Sequence, residues 1–78
     1  MIENQVKDIL ADQFGIPAES IGIDDNLLDL GADSLDVIEI VMELEGHFRI
    51  TIEEDEYAEG STVASIVRLV ESKLAPKV

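Results

Sequence analysis

The sequence contains no cysteine and no tryptophan, only two prolines, and just three aromatic residues, Phe14, Phe48 and Tyr57. Without cysteine there is no disulfide, no thiolate metal site and no thiol on the chain itself, and nothing in the composition calls for an oxidising compartment. Basic residues are scarce: five Lys and Arg stand against eighteen Asp and Glu, for a formal net charge of −13. That balance disfavours nucleic acid phosphates and anionic membrane surfaces as partners and favours basic protein surfaces. No apolar run approaches a membrane-spanning length, and Met1-Ile2-Glu3-Asn4-Gln5 lacks the basic-then-apolar order of a secretory leader. A cytoplasmic protein without stable membrane insertion is the expectation.

What is present is helical periodicity in a chain 46% hydrophobic over 78 residues, enough for one small domain, 1–78. Ile2, Val6, Ile9, Leu10 and Phe14 recur at helical spacing, and Gly15 follows as a terminator, so the first helix is expected over about 3–14. Residues 15–33 make a connection too long for a plain turn. Its apolar residues Ile16, Ile21, Ile23, Leu27, Leu28 and Leu30 imply that it is packed, with short helical turns starting at Pro17 and near Asn26. The next helix, about 34–48, places Val37, Ile40, Val41, Leu44 and Phe48 on one buried stripe. Ile50-Thr51-Ile52 reads as an extended connector, and the acidic run 53–59 as a short helix stopped by Gly60. Ser61 or Thr62 caps a last helix in which Val63, Ile66, Val67, Val70 and Leu74 repeat, with Pro76 beyond its end. The expected fold is all-α: a small four-helix bundle, three helices long and one short, with a long loop between the first two.

The most informative stretch is Asp29-Leu30-Gly31-Ala32-Asp33-Ser34-Leu35-Asp36. Gly31 can take the positive φ that ends an irregular segment, and Asp33 is a preferred N-cap, so a helix starts at Ser34 and presents its hydroxyl at the N-terminus. Unpaired first-turn N–H groups and the helix dipole suit a phosphate ester there. Nucleophilic catalysis by Ser34 needs a base in reach, yet the sole histidine, His47, lies thirteen residues along the same helix. At about 1.5 Å per residue that is about 20 Å away. Ser34 reads as an attachment point, and the chain as no enzyme.

This stretch resembles the attachment motif of acyl carrier proteins, the dissociated carriers of fatty acid and related lipid synthesis. The resemblance extends over nearly the whole chain in length, acidity and helix order. It implies that Ser34 carries 4′-phosphopantetheine, transferred from coenzyme A, whose terminal thiol holds acyl groups as thioesters. It also implies partners: a phosphopantetheinyl transferase and acyl-processing enzymes with basic docking surfaces, acting on a monomeric carrier. In that family the helix after the serine is the docking site, which here falls on Asp33, Leu35, Asp36, Glu39, Met42 and Glu45. Glu43 is acidic where the family varies, and Thr51-Ile52-Glu53 stands where the family often has proline, which affects the boundaries of the short helix.

The residues themselves agree with a docking face. Leu35, Ile38 and Met42 fall outside the buried stripe and are interleaved with Asp36, Glu39, Glu43 and Glu45, an apolar centre with a charged rim. Leu35 and Met42 read as exposed; Ile38 reads equally well as core or surface. Asp24, Asp25, Asn26 and Asp29 fit no EF-hand register, so they read as a solvated loop with caps and no metal site is expected. Three alternatives stay open at this level: a carrier for a polyketide, specialised lipid or aminoacyl pathway, an unmodified acidic adaptor in which Ser34 is only a cap, and, least favoured, a hydrolase.

Overall fold

A computed structural model describes residues 2–57 and 61–74 of the chain. Three helices are present among these residues, α1 (Ile2–Phe14), α2 (Ser34–Phe48) and α3 (Val63–Leu74), with single 3-10 turns at Ala18–Ser20 and Glu54–Glu56 and no strand longer than an isolated bridge. Local contacts account for the ends of α1 and α2 and for the start of α3. Gly15 takes φ 68°, and this left-handed residue lets the Ile16 N–H reach back to the Ala11 carbonyl at 3.1 Å, closing α1. The same geometry ends α2 without a glycine: Arg49 stands at φ 56°, and the Ile50 N–H bonds the Glu45 carbonyl at 3.2 Å. At the start of α3, the Thr62 hydroxyl accepts from the Ser65 N–H at 3.1 Å.

The core lies where the apolar stripes of the helices meet. Val6 and Leu10 from α1, Val37, Ile40, Val41 and Leu44 from α2, and Val63, Ile66, Val67 and Val70 from α3 are buried, and Ile21, Leu27, Ala32 and Ile52 join them from the connections. The long 15–33 connection is therefore part of the core, as its apolar content predicts. It also completes the cap of α3. The Val63 and Ala64 N–H groups donate to the carbonyls of Asp25 and Ile23 at 2.9 and 2.8 Å, and Leu27 N–H donates to the Ser61 carbonyl at 3.0 Å.

Some expected details differ. Pro17 is the N-cap of its 3-10 turn rather than its first residue, and the segment around Leu27 is a series of turns rather than a helix. Leu74, in phase with the stripe of α3, is 41% exposed because it lies at the helix end, past the last buried residue, Val70. Of the short helix expected over 53–59, the described part is the 3-10 turn at Glu54–Glu56; Ala58, Glu59 and the stop at Gly60 lie outside the described residues, as does Pro76.

Candidate functional site

The N-terminus of α2 is built by a short chain of constraints. Gly31 takes φ 100°, which allows the chain to double back so that the Ala32 N–H bonds the Leu27 carbonyl at 3.1 Å, with Leu27 fully buried. Ala32 is itself buried, and so is Val37 one turn into the helix. Between these anchors Asp33 and Asp36 form a reciprocal cap: Asp33 Oδ1 accepts from the Asp36 N–H at 3.0 Å, and Asp36 Oδ2 accepts from the Asp33 N–H at 3.2 Å. Ser34, the first helical residue, is exposed, and its hydroxyl makes no hydrogen bond among the described residues. The frame holds the serine's backbone and leaves its oxygen free.

The N–H groups of Ser34 and Leu35 have no acceptor within the helix, because they are its first two donors. Two phosphate oxygens on Ser34 could take those bonds, with the helix dipole favouring negative charge at the same place. A phosphopantetheine ester therefore fits: the attachment oxygen faces solvent, donors for its phosphate are adjacent, and the carboxylates of Asp33 and Asp36 are occupied with N–H groups. His47 is at the far end of α2, its ring edge-on to Phe48 with centroids 4.8 Å apart. It gives Ser34 no base.

Leu35 and Met42 are 67% and 64% exposed, and Ile38, ambiguous in the sequence, is 46% exposed. These three line the outer side of α2 with Glu39, also exposed. Two further residues fall outside the expected set. Gln13 of α1 donates through Nε2 to Glu39 Oε2 at 3.0 Å, and Leu28, in the loop before the serine, is 48% exposed. Gln13 carries no charge and sits twenty-six positions from Glu39, so only the packing of α1 on α2 reveals it. Glu45 behaves differently from the rest: half-buried, its Oε2 accepts from the Ile52 N–H at 2.9 Å. Among the described residues no group of three or more acidic, His or Cys side chains is placed to hold a metal ion.

The Glu56 carboxylate is held below the usual range. The hydrogen bond from Lys73 Nζ at 2.7 Å lowers it most, followed by the N–H bond within its 3-10 turn. It ties the 50–57 segment to α3 and is not part of the serine site.

The fold and the site define a carrier: a small helical scaffold that presents a serine oxygen and does not activate it. Comparison with known proteins agrees. Residues 4–70 match the family described as the phosphopantetheine attachment site. The chain is similar to the acyl carrier protein of Clostridium acetobutylicum, 41% identical over 92% of this chain and 95% of the relative. It is likewise similar to those of Amoebophilus asiaticus, 39% identical over 97% and 96%, and Chlamydia trachomatis, 36% identical over 92% and 95%. The chain belongs to the acyl carrier protein family, whose members are carriers with a phosphopantetheine cofactor and not enzymes.

Proposed function

We propose that this protein carries acyl groups for fatty acid biosynthesis on a 4′-phosphopantetheine arm esterified to Ser34. The observation that carries this reading is the free, exposed Ser34 hydroxyl in the frame of Gly31, Asp33 and Asp36. When bound, the arm supplies the thiol that a cysteine-free chain lacks, and acyl groups are held on it as thioesters. The chain's own contribution is positional. The capping box fixes the first turn and the Ser34 and Leu35 N–H groups would donate to phosphate oxygens; the serine oxygen would displace adenosine 3′,5′-bisphosphate from coenzyme A, with its proton taken by the transferase, since the sole histidine is at the far end of α2.

Asp33, Leu35, Asp36, Glu39 and Met42 form the docking face for the transferase and for acyl-processing enzymes with basic surfaces. Their carboxylates steer encounter and orientation more than they add affinity. A net charge of −13 opposes self-association, which supports a monomer. A cytoplasmic location and a single domain over 1–78 complete the reading.

Intact mass after incubation with coenzyme A, magnesium and a broad-specificity phosphopantetheinyl transferase tests it. The expected result is a gain of one phosphopantetheine group in the native chain and none in Ser34→Ala. A folded native chain that gains nothing would leave Ser34 an ordinary first-turn serine and make an acidic adaptor the better reading.

A further inference from the structure

Helix geometry separates the acidic residues of α2 into two groups. At about 100° per residue, Glu43 lies about 40° around the axis from Glu39, and Leu35, Asp36 and Met42 all fall within about 60° of it. Glu45 lies about 120° from Glu39, beside the buried stripe that includes Val41. The contacts follow this division. The Glu45 side chain bonds the Ile52 N–H at 2.9 Å, and its carbonyl accepts from the Ile50 N–H at 3.2 Å. Both bonds seat the connector that places Ile52, only 7% exposed, in the core. Unlike the Asp33 and Asp36 caps, which close within the first turn beside Ser34, this charge-assisted bond reaches out of the helix and turns the carboxylate towards the 50–57 segment, away from the Glu39 side of α2. Glu43, by contrast, is exposed and lines a groove of about 500 Å³ between α1 and α2 with Gln13, Glu39, Met42, Gly46 and His47. Gln13 holds the Glu39 carboxylate at the same groove.

We infer that Glu45 is a positioning residue that seats the 50–57 segment through the Ile52 N–H, and that Glu43 is the carboxylate that meets a basic partner at this level of α2. The occupant of the groove is one lysine or arginine side chain of that partner, its stem over Met42 and its charge between Glu39 and Glu43. This rests on α2 being the docking face. It moves the acidic rim off the line that ends at Glu45 and across the α1–α2 groove.

The test pairs two readouts on the full chain: kcat/KM for modification by a broad-specificity phosphopantetheinyl transferase at low ionic strength, and hydrogen exchange at the Ile52 amide. Glu45→Gln retains an acceptor oxygen without the charge, so both readouts stay near native. Glu45→Ala removes the acceptor, and Ile52 exchange rises on the order of tenfold. Glu43→Gln lowers kcat/KM several-fold and leaves Ile52 exchange unchanged. The inference is overturned if Glu45→Gln slows modification as much as Glu43→Gln, or if Ile52 exchange ignores Glu45→Ala. Wild-type kcat/KM in both Glu39→Gln and Glu43→Gln would instead remove the docking reading, and Glu43 with it; Ile52 exchange still decides the role of Glu45.

Discussion

Asp33 carries two separable properties on one side chain, and they can be measured apart. Its oxygen caps α2 by accepting from the Asp36 N–H, and its charge adjoins Ser34, the proposed attachment residue. Losing an N-cap acceptor costs about 1 kcal/mol, whereas an exposed charge beside a docking surface acts mainly on association rate. Asp33→Asn preserves the acceptor and removes the charge; Asp33→Ala removes both. Thermal melts should therefore show near-native stability for Asn and a loss of about 1 kcal/mol for Ala, while initial rates of phosphopantetheinylation fall several-fold in both. A native rate in Asp33→Asn would mean that the charge takes no part in docking. The cap was legible in the sequence because Asp before an apolar-periodic run is a local signal. Its reciprocal half was not, because Asp36 stands where the usual capping box has a longer Glu or Gln. Arg49 was still less legible. A non-glycine residue in the left-handed region costs about 1–2 kcal/mol, and only the seating of Ile50 and Ile52 behind it explains why the helix ends there.

At the scale of elements, the three long helices were readable because each has an apolar repeat longer than any competing pattern, and the bounds of α1 and α2 fall within a residue of those expected. The connections were readable only as packed. Nothing in Ile23 or Asp25 signals that their carbonyls complete the start of α3 some forty residues later, since that depends on where the tertiary fold brings the chain. Glu45 shows the same limit from the other side. Its sequence position alone set it about 120° from Glu39, but its partner, Ile52, becomes visible only in three dimensions. The acidic 53–57 stretch is tied to α3 through Glu56 and Lys73, and this pair makes a pH prediction. Because the native state lowers the Glu56 pKa from its usual 4.5, its contribution is present above the unfolded value and is lost as pH falls through the lower folded one. The pair is at the surface, so the effect is small. Lys73→Gln should melt slightly below native protein at neutral pH, and the difference should vanish as the medium is acidified through the carboxylate range. A difference independent of pH would assign the loss to the packing of the lysine stem and not to the ion pair.

For the molecule as a whole, the governing quantity is the net charge of −13 carried on 78 residues. Five basic residues cannot neutralise eighteen acids, and the ion pairs among the described residues, Lys7 with Glu3 and Lys73 with Glu56, are local. Carboxylates elsewhere repel one another across the surface, which lowers the stability of the compact state. On the proposed docking face, the same field would draw a basic partner towards α2. Salt therefore acts on the two properties in opposite directions. Raising ionic strength shortens the Debye length from about 30 Å at 0.01 M to about 10 Å at 0.1 M, so repulsion inside this small domain weakens and the melting temperature rises. Attraction between the carrier and a basic enzyme is screened by the same ions, and the rate of modification at limiting carrier falls. Melts and initial rates across one sodium chloride series should move oppositely. A melting temperature that falls with salt would show that local ion pairs outweigh the net repulsion. A modification rate indifferent to salt would show that the acidic field does not guide docking.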